Sequence, residues 1–379
     1  MPKRKILVMT DWFDPAYKAG GPIRSCVNFV TNMKEEYELF VFTSDRDLGM
    51  QSPLPNVRTD EWITHSSGAM VLYASPVKLN FAGIREVIKS IQPHFIYLNS
   101  FFSRYFTIYP LLITRFLKRD AVTVLAPRGM LKPSALQFKS FKKKSFLGLI
   151  KMMGLHANTR FHATDEEEVK DISNHFPDNR VWLAFSFSEA VPARQVVLNK
   201  ETGTLSVLFI GRIHPIKNLD YLLNVLQGVN GIIELTIVGV LEQPSYWNDC
   251  QEIINSFPST VQVNYKGEIP HDQLPAIINN HHILALPTQG ENFGHTIFEA
   301  LSGGKPALIS DQTPWRNLRQ QNAGWDLDLH QPLLFSQALQ EAVNWNYETY
   351  SQWSDAAYKL ATQYADQSKL KEQYKKIFS

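Results

Sequence analysis

Cysteine, an excess of charge and long apolar runs are all scarce in this sequence of 379 residues. The two cysteines, Cys26 and Cys250, lie far apart, which excludes a metal-type spacing and a disulfide framework and is typical of a reducing compartment. The net charge of +2 excludes a globally basic, nucleic-acid-binding surface. No stretch approaches the roughly twenty apolar residues of a spanning helix. We therefore expect a cytoplasmic protein without a nucleic-acid partner.

A signal peptide and a dinucleotide fingerprint are also lacking. Basic residues precede the apolar run of residues 6–9, but Asp11 ends that run too early for a signal peptide. We interpret the run as the first strand of a parallel sheet. Gly-x-Gly-x-x-Gly occurs nowhere, which argues against a nicotinamide-dependent enzyme.

Strand-like and helix-like segments alternate along the chain, which predicts an α/β fold with parallel sheets. The length suits two domains. We place them at residues 1–190 and 200–354, joined by the polar, aperiodic segment 186–203. The predicted strands are 5–9, 38–42, 70–73, 95–98, 121–126, 160–163 and 181–183, followed by 205–210, 234–238, 261–265, 283–286 and 307–309.

Two glutamates flank a Phe-Gly turn after the apolar run 283–286. Glu291 is predicted on the loop and Glu299 two turns into the following helix, whose free N–H groups would attract phosphate. Ligand hydroxyls such as those of a ribose would satisfy a buried Glu299 carboxylate. The alternative, a helix glutamate paired with a nearby lysine or arginine, has equal weight from these residues alone.

A second loop, after the apolar run 205–210, carries Gly211, Arg212 and Lys217. A guanidinium fork and an ammonium on one loop match a diphosphate. A solvated surface pair is the commoner arrangement for one such loop.

Together these motifs resemble the GT-B glycosyltransferases of family 4, whose second domain carries Gly-Arg…Lys and Glu-x7-Glu. Further motifs extend the resemblance along most of the chain. Two of them resemble motifs of a subgroup that is common among enzymes of bacterial surface polysaccharide synthesis. The further motifs are Ala19-Gly20-Gly21-Pro22, residues 161–168, Thr236-Ile237-Val238-Gly239, Tyr265-Lys266-Gly267-Glu268-Ile269, and, for the subgroup, residues 126–131 and 313–318.

The resemblance implies two doubly wound Rossmann-like domains facing a central crevice, with the final helix, about residues 355–379, packing back on the first domain. It implies a retaining hexosyltransferase that acts on a nucleotide-diphosphate sugar, and we expect a UDP-sugar as the donor and no cofactor. Because no supported carboxylate pair is present, we also expect a metal-independent enzyme. Arg212, Lys217 and Glu291 would be catalytic, with Glu291 holding the donor sugar and Glu299 the ribose. The remaining donor-binding positions would be Gly20, Gly21, Gly211, Ile269, Asn292, Phe293, Gly294, His295 and Thr296.

Two further candidates lie after strands of the first half. Arg128 stands where many relatives have a histidine facing the sugar, so we expect it either to bind an anionic acceptor or to pair with a carboxylate. Asn99, after the run 95–98, is a second acceptor-side candidate. The pairs Asp45/Asp47 and Asp326/Asp328 lack the context of a metal site, and we interpret them as solvated turn residues.

A lysine cluster at 139–144 interleaves with Phe138, Phe141 and Phe146 and suggests contact with the inner face of a membrane. Lys143 and Ile150 share a helical stripe, so basic and apolar faces do not separate cleanly, and a solvated basic loop has equal weight.

We expect a glycosyltransferase that uses a glycan or lipid-linked acceptor in polysaccharide, lipopolysaccharide or other glycan assembly. The alternatives are a catalytically silent sugar-nucleotide-binding protein, and a sugar phosphorylase or nucleotide-sugar epimerase on the same fold.

Overall fold

The structure is a computed structural model that describes residues 2–116, 121–137, 140–365 and 368–379. The chain divides into two compact units. The first comprises Met1–Phe187 with Gln367–Ser379, and the second comprises Ser188–Asp366. Residues 184–203, which join the last strand of one unit to the first strand of the other, contain no helix or strand.

The first unit is built around an eight-stranded sheet in the order β3-β4-β2-β1-β5-β6-β7-β8. Neighbouring strands are parallel except β3 and β4. Its elements in chain order are β1 (Arg4–Met9), α1 (Gly21–Met33), β2 (Tyr37–Ser44), β3 (Trp62–Thr64), β4 (Met70–Ala74), α2 (Phe81–Ile91), β5 (Phe95–Leu98), a π-helical segment (Arg104–Ile108), α3 (Tyr109–Phe116), β6 (Val122–Leu125), α4 (Pro133–Gln137), α5 (Ser140–Met152), β7 (Thr159–Ala163), α6 (Glu166–His175) and β8 (Val181–Leu183).

The second unit contains an entirely parallel six-stranded sheet in the order β11-β10-β9-β12-β13-β14. Its elements are β9 (Thr204–Ile210), a 3-10 turn (Pro215–Lys217), α7 (Leu219–Leu226), β10 (Ile232–Val238), α8 (Pro244–Asn255), β11 (Val261–Tyr265), a 3-10 turn (His271–Gln273), α9 (Leu274–Asn279), β12 (Ile283–Leu286), α10 (His295–Ser302), β13 (Ala307–Ser310), β14 (Gly324–Leu327), α11 (Pro332–Asn344) and α12 (Tyr347–Tyr364).

The central strands are apolar because helices cover both faces of each sheet. In β5 and β12 every residue is buried, which is the pattern expected of parallel strands inside a doubly wound fold. The predicted α/β fold with parallel sheets is therefore confirmed, and each predicted strand corresponds to an observed one. Because ligands of such sheets bind beyond the carboxyl ends of the strands, that edge is the place to look for the site.

The carboxyl-terminal helices differ from the predicted division. We predicted one helical segment, residues 355–379, on the first domain, but α12 packs entirely within the second unit. Its Trp353 lies 4.8 Å from Trp325 and 4.6 Å from Trp345 between ring centroids, and Tyr364 lies 5.0 Å from Trp315. Only the short helix α13 (Ser368–Ile377) belongs to the first unit.

Two strands were not predicted. β3 has only three residues and pairs with β4 at the sheet edge. β14 contains Asp326, which we had assigned to a solvated turn. The assignment is wrong for Asp326, because its carboxylate accepts hydrogen bonds from the backbone N–H groups of Asn317 and Leu318 at 2.9 and 2.8 Å.

No helix in the described part of the chain combines the length and apolarity that crossing a bilayer requires.

Candidate active site

Two loops at the carboxyl edge of the second sheet are joined to each other. One follows β9 and the other follows β12, and these strands are neighbours. The carbonyl of Ile216 accepts hydrogen bonds from the Gln289 N–H at 2.8 Å and from the Thr288 hydroxyl at 3.0 Å. The Glu291 N–H donates to the Gln312 carbonyl at 3.0 Å, so the loop after β13 joins the same assembly. The two motifs singled out in the sequence therefore occupy one place.

Gly239 allows the first of these loops to lie close to the end of β10. Its φ is +150°, and a Cβ atom there would lie 1.9 Å from the carbonyl oxygen of Gly211. No side chain can occupy that space without moving the backbone of the Gly211 loop. A Cβ atom on Gly211 would in turn contact the side chain of Lys217 at 3.4 Å.

Lys217 forms an ion pair with Glu291 across the two loops. About 15% of each side chain is exposed, so the pair is partly shielded from water and less weakened by it than a surface pair. The contact places an ammonium group beside the carboxylate at the mouth of the β9 and β12 loops. It also gives Glu291 a partner that sequence reasoning did not foresee, since we had assigned the two side chains to different parts of a ligand.

Arg212 points to a more exposed region and pairs with Glu242, which follows β10. The Nη1 to Oε2 distance is 2.5 Å, and each side chain is 37% exposed. Such an exposed pair contributes little to stability. The guanidinium can therefore exchange its partner for another anion at small cost.

The helix α10 begins immediately after the Phe293-Gly294 turn, close to the predicted start. Gly294 is its N-cap residue with φ +77°, and a Cβ atom there would lie 2.8 Å from the side chain of Ile297. The Phe293 carbonyl accepts a hydrogen bond from Trp315 Nε1 at 2.7 Å, and the rings of Phe293 and His295 lie 4.6 Å apart. These contacts hold the turn rigidly. The first turn of α10 thus directs its N–H groups toward the loop that carries Glu291.

Other predicted donor-binding residues lie around this turn. Asn292 and Thr296 are half-buried on either side of it, and His295 is buried. Ile269 is half-buried on the loop that follows β11. All three loops follow parallel strands of one sheet, so they share an edge.

Glu299 contacts a histidine rather than the lysine or arginine of our alternative hypothesis. His271 Nε2 lies 3.0 Å from Glu299 Oε1 and 3.6 Å from Glu189 Oε1. Ligand atoms of these three residues lie within 4.8 Å of one another, so among the described residues they form one group that could hold a metal ion. Sequence reasoning missed His271 and Glu189. The only available signal was that His271 follows Ile269 closely, at the carboxyl end of a strand.

In the first unit, the corresponding edge carries the predicted glycines. Gly20 is the N-cap of α1 with φ +64°, and Gly21 is the first residue of that helix. A Cβ atom on Gly20 would meet nothing within 4 Å, so φ rather than space favours glycine there. Asp11 lies on the same edge, just after β1, and accepts a hydrogen bond from Ser103 Oγ at 2.8 Å. Burial raises the pKa of Asp11, and the sequence analysis did not select it as a site residue.

Arg128 is buried, and its side-chain partners in the first unit are neutral groups. Its guanidinium donates to Asn99 Oδ1 at 2.8 Å, to the Tyr97 hydroxyl at 2.9 Å and to Ser186 Oγ at 3.4 Å. The nearby carboxylate of Glu168 accepts instead from the N–H groups of Gly129 and Thr164. The expected pairing of Arg128 with a carboxylate is therefore wrong, and binding of an anionic acceptor stays a prediction. Arg128 orients Asn99 and Tyr97 from the interior.

The predicted solvent exposure of Asp45 and Asp47 is also wrong. Both carboxylates are buried. Asp47 accepts hydrogen bonds from the N–H groups of Tyr17 and Lys18 at 2.9 and 3.2 Å, and thereby orders the loop that leads to Gly20. Asp45 lies 3.5 Å from Arg46 Nε, and burial raises its pKa. Both residues support the loop structure of the first unit.

Comparison with known proteins finds a family that is similar to the second unit. Residues 192–360 match the family model described as glycosyl transferases group 1. This part of the chain is therefore similar to group 1 glycosyltransferases. The matched segment contains Arg212, Lys217, Glu291 and Glu299. A comparison with curated proteins finds no match.

Solved structures share the fold of the whole chain. Sucrose-phosphate synthase from Thermosynechococcus elongatus superposes with a TM-score of 0.72 at 16% identity, covering 99% of each chain. HepE from Anabaena, in complex with UDP and glucose, gives 0.71 at 14% identity and also covers 99% of each chain. A variant of S. aureus TarM, in complex with UDP, gives 0.66 at 10% identity over 99% of this chain and 100% of that chain. The predicted GT-B fold and the resemblance to group 1 glycosyltransferases are confirmed.

Proposed function

We propose that this protein transfers a hexose from a nucleotide diphosphate to an acceptor hydroxyl, with retention of configuration and without a required metal ion. The observation that carries the proposal is the junction of the β9 and β12 loops. It brings Lys217, Glu291 and the first turn of α10 together at one edge of the sheet, with Arg212 on the same loop as Lys217. HepE, whose fold this chain shares, binds UDP and UDP-glucose, which favours a UDP-sugar as donor.

The chemistry follows from the charges at this edge. As the glycosidic bond breaks, negative charge develops on the departing diphosphate. Arg212, Lys217 and the N–H groups of α10 would stabilise that charge in place of a metal ion. A diphosphate carries more charge than the single carboxylate of Glu242, so it would compete effectively for Arg212.

The two glutamates would bind different parts of the donor. A carboxylate offers about four acceptor positions, so Glu291 can serve Lys217 and still accept from sugar hydroxyls. Glu299, in the second turn of α10, would accept from the ribose, with His271 fixing its orientation. Gly20 and Gly21 would allow the backbone of their own loop to approach phosphate closely. Asn99, held by Arg128, is our acceptor-side candidate.

The wider role is an inference from the resemblance to enzymes of surface polysaccharide synthesis. The acceptor would be a glycan or a lipid-linked sugar, and the reaction would take place in the cytoplasm, at the inner face of the membrane where the acceptor is lipid-linked. The narrower assignment to family 4 belongs to this proposal.

The test begins with thermal unfolding of the protein in UDP, GDP and ADP and their sugars. A ligand at a hundred times its dissociation constant raises the free energy of unfolding by about 2.7 kcal/mol. The nucleotides that stabilise the protein therefore identify the preferred base. Release of the nucleoside diphosphate is then measured with and without a chelator. We expect release that the chelator does not reduce, and a product that keeps the anomeric configuration of the donor.

Other outcomes identify the competing functions. Stabilisation without release, whichever acceptor is supplied, would indicate a catalytically silent binding protein. A requirement for inorganic phosphate would indicate a phosphorylase, and a changed sugar still attached to its nucleotide an epimerase. Loss of activity in chelator would contradict metal independence and direct attention to Glu189, His271 and Glu299.

A further inference from the structure

Part of the first unit carries positive charge without any acidic residue. Residues 121–164 contain no aspartate or glutamate, although the whole chain has 36. The net charge of +2 therefore conceals a strongly basic region. Its cations are Arg128, Lys132, Lys139, Lys142, Lys143, Lys144, Lys151 and Arg160.

The helix α5 presents a well-defined exposed face in this region. Leu147 and Ile150 are buried and Phe146 packs against Phe101 and Phe102, so one side of the helix belongs to the core. Lys143 is on that side too, with its Nζ donating to the Ala135 carbonyl. The opposite side is formed by Lys142, Lys144, Ser145, Gly148, Leu149, Lys151 and Met152, all of which are exposed.

The order of residues across this exposed face is unusual for a helix that faces water. At 100° per residue, the centre is occupied by Gly148, Met152 and Ser145, and Leu149 lies beside them. The lysines occupy the margins. Met152 is 80% exposed and Leu149 is 40% exposed. A helix that faces only water normally has its most polar residues at the centre of the exposed arc.

A third exposed apolar residue lies close to this helix. Phe116, the last residue of α3, is 62% exposed, and its neighbour Arg115 is exposed as well. The Arg115 guanidinium lies 3.9 Å from the Cβ position of Gly154, two residues beyond α5. Together with the exposed side of α5, these two residues form what we call the α5 face.

We propose that the α5 face docks on a lipid bilayer surface that carries anionic headgroups. Lysines at the margins of an apolar strip can direct their ammonium groups to the headgroups while their methylene chains, and Met152 and Leu149, enter the boundary of the acyl region. The lysines supply attraction to anionic lipid, and the apolar side chains distinguish a bilayer from a soluble polyanion. This inference gives the proposed function its partner, because it places the first unit on the surface that would carry a lipid-linked acceptor.

The experiment measures co-sedimentation of the full chain with vesicles of phosphatidylcholine alone and with added phosphatidylglycerol. We expect binding to the anionic vesicles only, with loss of binding at high salt. Lys142→Glu/Lys144→Glu should lower the partition coefficient at least about thirtyfold, since each lysine near such a surface contributes about fivefold. Leu149→Ser/Met152→Ser, which keeps every charge, should also reduce binding several-fold.

Matched controls come from exposed residues elsewhere. Lys89→Glu/Lys359→Glu makes the same change of charge, and Val77→Ser and Leu333→Ser make the same change of polarity at exposed positions. These variants should bind as the parent protein does. Because the native cysteines are buried, Met152→Cys can be labelled selectively with an environment-sensitive dye, whose emission should shift to the blue on anionic vesicles.

Three results would overturn the proposal. The first is no binding to anionic vesicles, and the second is an equal loss of vesicle binding in the control variants. The third is vesicle binding that the serine variants leave unchanged, together with equally strong binding to heparin. The last would show a surface for a soluble polyanion. No donor is present in these assays, so their failure is separate from failure of the proposed transfer reaction.

Discussion

Lys217 and Arg212 lie on the same loop but have different surroundings. Lys217 is partly buried against Glu291, whereas Arg212 forms an exposed pair with Glu242. Removing Lys217 leaves a shielded carboxylate without its cation, and removing Arg212 leaves a carboxylate that water can solvate. The two positions should therefore differ in stability even where they share a role in catalysis.

We expect Arg212→Ala and Lys217→Ala each to lower turnover about a hundredfold or more, the scale of losing one donor to a transition-state charge. Steady-state rates of nucleotide release measure this effect. Lys217→Ala should also lower the free energy of unfolding, and Arg212→Ala should not. Lys266→Ala, at an exposed position of the same unit, is the control and should leave both quantities unchanged. Turnover near that of the parent in both variants would reject the phosphate assignment.

The two glutamates should affect different steps. Glu299→Gln should weaken binding of the bare nucleotide diphosphate by about 1.5 to 3 kcal/mol, because a ribose hydroxyl loses a charged acceptor. Glu291→Gln should leave that affinity nearly unchanged and lower turnover, because its partner would be the sugar in the transition state. Calorimetry and steady-state rates decide, with Glu252→Gln as an exposed control. If Glu291 instead controlled nucleotide affinity and Glu299 only turnover, the donor would lie in the opposite direction, with its ribose at Glu291 and its sugar at Glu299.

At the scale of single elements, the close approach between the loops that follow β9 and β10 restricts the residue types that the site can accept. The space for a Cβ atom on Gly239 is filled by the Gly211 carbonyl, a backbone group that can move only with the Arg212 loop. The requirement for glycine thus arises from a neighbouring loop as well as from the local positive φ.

Gly239→Ala should destabilise the second unit and also weaken nucleotide binding. Overpacking of this kind costs about 1 to 3 kcal/mol beyond the strain of a positive φ. Gly267→Ala is the control, because Gly267 has φ +71° but nothing within 4 Å of its Cβ position, so it should show about 1 to 2 kcal/mol of backbone strain alone. Denaturant unfolding and calorimetry separate the two effects, and equal losses in both variants would contradict the steric account.

The elements show what a single sequence can and cannot predict. Long apolar runs such as 205–210 and 283–286 identified their strands because both faces of a parallel sheet are buried. β3 escaped because three residues carry no period, and β14 because its glycine and aspartate resemble a turn. Lys217 and Glu291, which the motifs placed in one site, are in contact, but their ion pair was not foreseen. The roles of Arg212, Lys217 and Glu291 stay predictions. Partners such as His271 for Glu299 and Tyr97 for Arg128 depend on tertiary contacts that have no signal in local spacing. On α5, the shared stripe of Lys143 and Ile150 was correct, but it lies on the inner side.

At the scale of the whole molecule, each unit contains a buried neutral histidine. Burial, with the charge of Arg128, lowers the pKa of His162 to about 3, and burial lowers the pKa of His282 to about 4. His162 accepts from the Tyr97 hydroxyl at 2.7 Å and donates to the Ala184 carbonyl at 2.9 Å. His282 is held in the same way between Ser206 and the Asn199 carbonyl.

Both units should therefore lose stability in mild acid. In the unfolded chain a histidine becomes protonated near pH 6.5, whereas in the folded protein these two stay neutral to a lower pH. Their contribution is fully present above about pH 6.5 and decreases as pH falls toward 4 and 3, by up to about 1.4 kcal/mol per pH unit for each. Asp171, whose pKa burial raises to about 6, acts in the opposite direction.

Thermal unfolding between pH 7.5 and 5 measures this loss. His162→Gln and His282→Gln should each flatten the pH dependence of their own unit, although both lower stability at pH 7.5. His330→Gln, at an exposed position, should leave the pH dependence unchanged. A pH dependence that neither buried substitution alters would exclude these histidines as its origin.

The return of α13 to the first unit has a consequence for the order in which the protein acquires its structure during synthesis. Phe378 lies within 6 Å of the rings of Phe29, Tyr37, Phe95 and Tyr97, so the core of the first unit includes residues that leave the ribosome after the whole second unit. The second unit is complete at residue 366. The half that is made first should therefore finish folding last. In a chain that stops at residue 366, we expect residues 188–366 to resist protease while residues 1–187 are digested. Equal resistance of both halves would show that the first unit folds without its final helix.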